Sequence, residues 1–244
     1  MKSAISIFML VVALGGSGAF WPQEENVDVL RTDEGELRIR PITHGSLMLE
    51  FRGKVIHVDP WSRGNYAGLP KADLILITDI HPDHMDRAMV DQLKKETTVI
   101  LAPAAVAETI REAQVIRNGE RKTVNGIIVE AVPMYNLVRG PSPGQLYHTK
   151  GRGNGYVLTL GGKRLYISGD TECVPEIKAL RGIDVAFICM NLPFTMPPEE
   201  AAECVKAFRP KIVYPYHYRN SDLNVFVNAL RGETGIEVRL RKWY

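Results

Sequence analysis

The stretch that most constrains this chain is the six-residue turn Asp79-Ile80-His81-Pro82-Asp83-His84. The run before it, 73–77, reads Asp-Leu-Ile-Leu-Ile, which is short, apolar and rich in β-branched side chains, as in a buried parallel strand. A helical pattern starts directly after the turn, over 85–90, and Pro82 keeps the turn itself out of that helix. Four of the six residues, Asp79, His81, Asp83 and His84, carry the imidazole nitrogens and carboxylate oxygens that zinc, iron and manganese accept. The bland alternative is a polar loop with two surface histidines. It would have to gather two of the chain's six histidines and two aspartates by accident.

Upstream, three strand patterns follow in close order over 37–43, 46–51 and 55–58, the last two joined by the hairpin turn Arg52-Gly53-Lys54. Downstream come a helix over 86–95, a strand over 98–101, and a helix over 104–113 opened by Pro103 at a position proline tolerates. Short strands at 122–124 and 127–132 lead into a glycine- and proline-bearing loop over 133–153, a length that usually signals function. Strands at 155–160, 164–168, 185–189, 211–215 and 236–240 are then interspersed with helices at 175–180, 198–208 and 223–230. Hairpins followed by strand–helix alternation, in two rounds, predict an α/β fold: a four-layer αββα sandwich of two mixed sheets with helices outside.

Residues 1–19 stand apart from this pattern. Met1-Lys2 supplies a positive start, 5–14 is almost wholly apolar, and Ser17-Gly18-Ala19 closes the run with small residues. That is an export signal with cleavage expected after Ala19; an uncleaved membrane anchor is the alternative. A periplasmic or secreted mature chain is expected, with an irregular arm at 20–36 and one domain over 37–244. With 30 basic against 28 acidic residues there is no electrostatic footprint for nucleic acid, so a small-molecule substrate is the expected partner. Of the three cysteines at least one must be free. Cys189 and Cys204 read as small buried core residues, and Cys173 as a neighbour of the metal site.

One loop cannot hold a pair of metals, so further ligands are expected at other strand ends. Asp170 follows the strand at 164–168 after Gly169, which permits a sharp turn. His217 follows the strand at 211–215, and His148 sits in the long loop with Asn136 upstream. With these in place the sequence resembles the metallo-β-lactamase fold superfamily of metal-dependent hydrolases, over about residues 37–244. It is most similar to the broad branch of ascorbate-phosphate lactonase-like proteins and the phospholipase D acting on N-acyl phosphatidylethanolamine. The family motif His-x-His-x-Asp-His stands here as 79–84, its Gly-Asp bridging carboxylate as Gly169-Asp170, and its late histidine as His217. Thr43-His44-Gly45-Ser46 and Val58-Asp59-Pro60 resemble segments beside that pocket.

Two family histidines are absent. Asp79 replaces the first of the motif, and Tyr135-Asn136 stand where another follows Val132-Pro133. One metal position is intact: Asp83, His84, Asp170 and His217. At the other, either Asp79 and His148 complete a set with His81, or the position stays unfilled; the first is the favoured expectation. The resemblance implies a hydrolase with one or two divalent ions, zinc first and manganese or iron also possible, acting on an ester, lactone or phosphoester. In that scheme Asp83 orients or deprotonates the metal-activated water and Asp170 bridges the ions. The extra charge of Asp79 is expected to make bound water less acidic and to favour harder ions. The alternative is a catalytically degenerate metal-binding or ligand-sensing domain. His57 reads as structural, His44 as a turn residue or a neighbour of the metals, and Asp59 as a group orienting a ligating imidazole. Tyr135, Arg139, Tyr147, Lys150 and Arg152 are expected to wall the pocket, with basic groups suited to phosphate or carboxylate. Tyr216 and Tyr218 either line it or pack.

Overall fold

A computed structural model describes residues 26–244; the export signal expected over 1–19 lies outside them. The first sheet holds β1 (Asp28–Thr32), β2 (Gly35–Thr43), β3 (Ser46–Phe51), β4 (Lys54–Val58), β5 (Ala72–Leu76), β6 (Lys94–Ala102) and β7 (Gln114–Val115), adjacent in that order. The second holds β8 (Arg121–Val124), β9 (Ile127–Met134), β10 (Gly153–Leu160), β11 (Lys163–Ile167), β12 (Val185–Cys189), β13 (Ile212–Tyr216) and β14 (Glu237–Val238), again in chain order. Each sheet begins as an antiparallel meander and turns parallel, the first at the β4–β5 pair and the second at β11–β12. The two halves therefore repeat one plan, as the two rounds in the sequence suggested.

Burial alternates as this architecture requires. All five residues of β5 are buried. Leu74 and Leu76 face the core between the sheets, while Ile75 and Ile77 pack with Val90, Val106 and Ile110 on the outer side. There α1 (Arg87–Leu93) is capped by the Asp86 carboxylate, which accepts from the Met89 amide. The short α2 (Ala104–Ala107) lies beside it. Over the second sheet lie α3 (Pro175–Lys178), α4 (Pro198–Phe208) and α5 (Leu223–Ala229). α4 buries Ala201, Cys204, Val205 and Phe208, spaced as one helix face, and the Phe208 ring meets Tyr166 of β11 edge-on at 5.9 Å. The result is the expected four-layer αββα sandwich.

Several expectations are corrected. Residues 28–32, read as part of an irregular arm, form β1, an edge strand paired antiparallel with β2. Its alternation is masked because an edge strand keeps Val29 and Arg31 in solvent. The helix expected over 104–113 stops at Ala107, and the long loop begins only after Met134, since Pro133 still belongs to β9. His57 is buried as a structural residue, its Nε2 3.0 Å from the Pro70 carbonyl. Burial pushes its pKa down to about 4, so it is neutral at pH 7.

Cys173 and Cys204 are joined in a disulfide with Cα atoms 5.5 Å apart, and Cys189 is free and buried. Cys204 is buried in the core as expected, but its sulfur is bonded to that of Cys173. The bond ties the segment after β11 to α4 across 31 residues. In the chain-entropy picture a closed loop of that size is worth about 3–4 kcal/mol. Replacing both cysteines by serine is expected to lower the unfolding free energy by about that much. Urea denaturation checks it, and an unchanged midpoint would contradict it.

Candidate metal centre

The ligand candidates meet where chain ends of the two sheets face each other. From the first sheet, the turn after β5 presents Asp79, His81, Asp83 and His84; from the second, Asp170 follows β11, His217 follows β13, and His148 enters from the loop between β9 and β10. His84, His148, Asp170, His217 and Asp79 are all buried. Close approach of the elements depends on two glycines. A Cβ at Gly45 would lie 3.0 Å from His217 Cδ2 and 3.5 Å from His84 Cε1. Gly169 sits at φ 61°, and a Cβ there would press to 2.4 Å from Met134 Sδ.

Asp170 joins two clusters. Its Oδ2 is 3.4 Å from His84 Nε2 and 3.5 Å from His148 Nε2, and its Oδ1 is 3.4 Å from His217 Nε2. His84, Asp170 and His217 form one candidate group, Asp79, His81 and His148 a second, and His44, Asp83 and His217 a third, the ligand atoms of each lying within 4.8 Å of one another. Asp83 Oδ2 stands 3.4 Å from His217 Nε2 and 3.9 Å from His84 Nε2. Four converging atoms, Nε2 of His84, His148 and His217 and Oδ1 of Asp170, are buried without a hydrogen-bond partner among the described residues. Leaving such atoms unpaired is costly, and a bound cation is the ordinary remedy.

The far side of each ring is held. His84 Nδ1 lies 2.8 Å from Asp59 Oδ2 and 2.9 Å from Thr78 Oγ1, while the Thr78 amide donates to Asp59 Oδ1 at 2.7 Å. His148 Nδ1 lies 2.7 Å from Asn136 Oδ1, which also accepts from the His148 amide at 2.8 Å. The Asn136 amide nitrogen donates to Glu172 and to the Phe194 carbonyl, which orients the carboxamide with its oxygen toward His148. His148 therefore donates through Nδ1 and turns the Nε2 lone pair into the site, the arrangement of a metal-ligating imidazole. His217 Nδ1 is 3.3 Å from the Asn191 amide. So Asn136, standing where the resemblance leads one to expect a histidine, positions a histidine from elsewhere.

Charge is distributed to match. Burial disfavours a charged His84, but the carboxylates of Asp170 and Asp59 outweigh it and raise its pKa well above the ordinary value. A divalent cation would exploit the same negative field. Burial pushes His148 down to about 4 against the pull of Asp170 and Asp79, leaving it neutral at pH 7 as a ligand must be. Burial would raise the Asp83 and Asp170 carboxyls, yet the surrounding imidazoles hold both well below the usual carboxylate range.

Asp79 is not a bare addition of charge. Arg152 clamps it with Nη2 on Oδ2 at 2.8 Å and Nε on Oδ1 at 3.1 Å, and His81 Nδ1 is 3.0 Å from Oδ2. A carboxylate–guanidinium pair has the same net charge as a neutral imidazole. The expected shift toward less acidic water and harder ions thus loses its electrostatic basis. His44 is both things the sequence allowed: it occupies the β2–β3 turn at φ 51° and lies beside the site. Its Nε2 is 3.0 Å from Asp83 Oδ2 and its Nδ1 2.5 Å from the Tyr244 hydroxyl, so both ring nitrogens are engaged.

The loop residues divide. Tyr147 lines the cavity at the candidate ligands together with His81, Asp83, His148 and Phe194. Tyr135 instead hydrogen-bonds Glu176. Arg139 grips Glu200 with two hydrogen bonds, and Lys150 pairs with Glu176 at 2.6 Å. Tyr216 packs against Phe187 and Trp243 and takes the Gly169 amide on its hydroxyl, and Tyr218 packs on Tyr244. Sequence reasoning missed Arg152 as the partner of Asp79, and Asn191 and Arg219 at the cavity; no local pattern marks contacts between residues so far apart in the chain.

The sequence profile of the beta-lactamase superfamily domain matches residues 38–217. A metal-dependent hydrolase of Thermus thermophilus is 30% identical over 217 residues, covering 82% of this chain and 94% of that protein. A crystal structure described as a metal-dependent hydrolase from Parabacteroides distasonis is 42% identical with a TM-score of 0.84, covering 89% of this chain and 99% of that one. A metallo hydrolase from Ignicoccus hospitalis shares the fold at a TM-score of 0.70 and 22% identity, covering 84% and 95% of the two chains.

Proposed function

Since the chain belongs to the beta-lactamase superfamily, among its metal-dependent hydrolases, we propose that it is an exported enzyme cleaving an ester, lactone or phosphoester with a metal-activated water. Asp83, His84, Asp170 and His217 would hold one ion, and Asp79, His81 and His148 a second, with Asp170 shared. Zinc suits this mixture of imidazole and carboxylate, and manganese or iron also fit it. When bound, the ions would supply a water acidic enough to ionise near neutral pH and would polarise the carbonyl or phosphoryl oxygen of the group under attack.

The protein's own groups do the rest. Asp83, held ionised by burial-defying contacts with His217 and His44, is a poor proton acceptor. It orients the attacking water by accepting a hydrogen bond. His44, with Tyr244 behind it, fixes the Asp83 carboxylate. Asn136 and Asp59 fix the ligating rings. Export is supported by the apolar segment within 1–19 and by the Cys173–Cys204 disulfide, a bond suited to an oxidising compartment.

The convergence of four partnerless buried atoms carries this reading. The test is elemental analysis of the purified protein, with turnover of chromogenic esters, lactones and phosphodiesters before and after chelation. One to two divalent ions per chain and chelator-sensitive turnover are expected. Metal without turnover would favour the sensing alternative, and no stoichiometric metal would overturn the reading altogether.

A further inference from the structure

The cavity above the metal ligands has a volume of about 200 Å³. Clefts that take drug-sized ligands run to roughly 300–1,000 Å³, so its substrate is small. One wall is aromatic: the Tyr147 and Phe194 rings meet edge-to-face at 5.0 Å. Its floor is acidic, with Asp83 and Asp170. Of the described residues that line it, only Arg219 is an arginine or lysine. The other basic residues of the region are consumed: Arg139 by Glu200 and Glu172, Lys150 by Glu176, Arg152 by Asp79. Arg219 has no ion pair among the described residues. Its guanidinium carbon stands 5.9 Å from the centroid of the Phe194 ring, and its backbone amide donates to the Tyr244 hydroxyl at 2.9 Å.

Resting on the hydrolase reading above, we propose that Arg219 sets the substrate class: the pocket takes a small ester that carries an anionic oxo group, carboxylate or phosphate, at a distance from the scissile bond. The group pairs with the guanidinium fork, which suits planar two-point contact with oxyanions. The apolar part of the substrate lies along Tyr147 and Phe194. The aromatic face under Arg219 favours the cation over that wall without using its hydrogen-bond donors.

The test compares 4-nitrophenyl hydrogen succinate with 4-nitrophenyl acetate as substrates of the zinc-loaded protein. A hydrogen-bonded charge pair of ordinary strength corresponds to about a 10-fold or larger preference in kcat/KM for the succinate ester. Arg219→Ala should bring the ratio of the two kcat/KM values toward one, and Arg219→Lys should give an intermediate ratio. Lys150→Ala, which alters charge near the same loop, should keep the wild-type ratio. Calorimetric binding of succinate, phosphonoacetate and acetate supplies a readout independent of turnover. Arg219→Ala should lose about 10-fold in affinity relative to acetate for succinate if the group is a carboxylate, or for phosphonoacetate but not succinate if it is a phosphate, and no loss for either overturns the assignment. If neither ester is hydrolysed, ester cleavage falls and the binding ratios alone decide on Arg219. Equal ratios in wild type and Arg219→Ala, with turnover intact, overturn the Arg219 assignment and leave the hydrolase reading standing.

Discussion

Asp170→Ala is expected to fold and to bind no metal at stoichiometric level, and His217→Ala to do the same. Asp170 is the junction of the centre, within 3.4–3.5 Å of three imidazole nitrogens from three separate chain segments. Without it each candidate position loses a charged oxygen, and His84, whose raised proton affinity depends first on Asp170, loses its strongest electrostatic partner. His217 serves the same position from the end of β13 in the same sheet, and its Nε2 also approaches Asp83. Turnover should fall by at least about three orders of magnitude, equivalent to ~4 kcal/mol of transition-state stabilisation. Elemental analysis beside circular dichroism decides the matter. Full metal retention in both folded variants would remove these residues from the site.

His148→Ala should act on half of the centre. Occupancy is expected to drop from about two ions toward one, and turnover by about two orders of magnitude, ~2.7 kcal/mol. His148→Asn should not restore either, because an amide is a poorer zinc ligand than imidazole. The expectation rests on the tautomer that Asn136 imposes, with Nδ1 donating and Nε2 aimed at Asp170 and Asp79. The sign of the pH effect follows from the same ring. Burial holds its pKa down at about 4, so this ring stays neutral over the ordinary range and its own protonation should weaken metal binding only in distinctly acid solution. Metal titration of wild type and His148→Ala side by side is the measurement. Equal stoichiometry and affinity would leave Asp79 and His81 without this third partner.

Much of this was readable from local patterns. The strand at 73–77 and the turn after it announce themselves because periodicity and residue type are properties of neighbours in the chain. Asp170 and His217 were found by their place just beyond strands, and the repeated order of hairpins and alternation predicted the layered α/β class. What could not be read depends on which distant residues come together. Cys173 and Cys204 show no spacing that pairs them. Arg152 and Asp79 are 73 positions apart. β1 hides because its residue types run against its alternating burial, with apolar Val29 in solvent and polar Asp28 and Thr32 on the half-buried side. Loop cations that looked suited to a ligand turn out to be paired within the protein, while Arg219 was passed over.

The candidate ligands are divided between the two sheets, four after β5 in one and three from the other. An ion there would act as a rivet across the sandwich, since neither half alone offers a full set. Occupancy then becomes folding free energy: at a free concentration 1,000-fold above the dissociation constant, one ion adds about 4 kcal/mol. The melting temperature of the protein would accordingly track the metal supply of its surroundings. Where divalent ions are scarce the protein would open more often, so the same ions that arm the enzyme would also set how long it lasts.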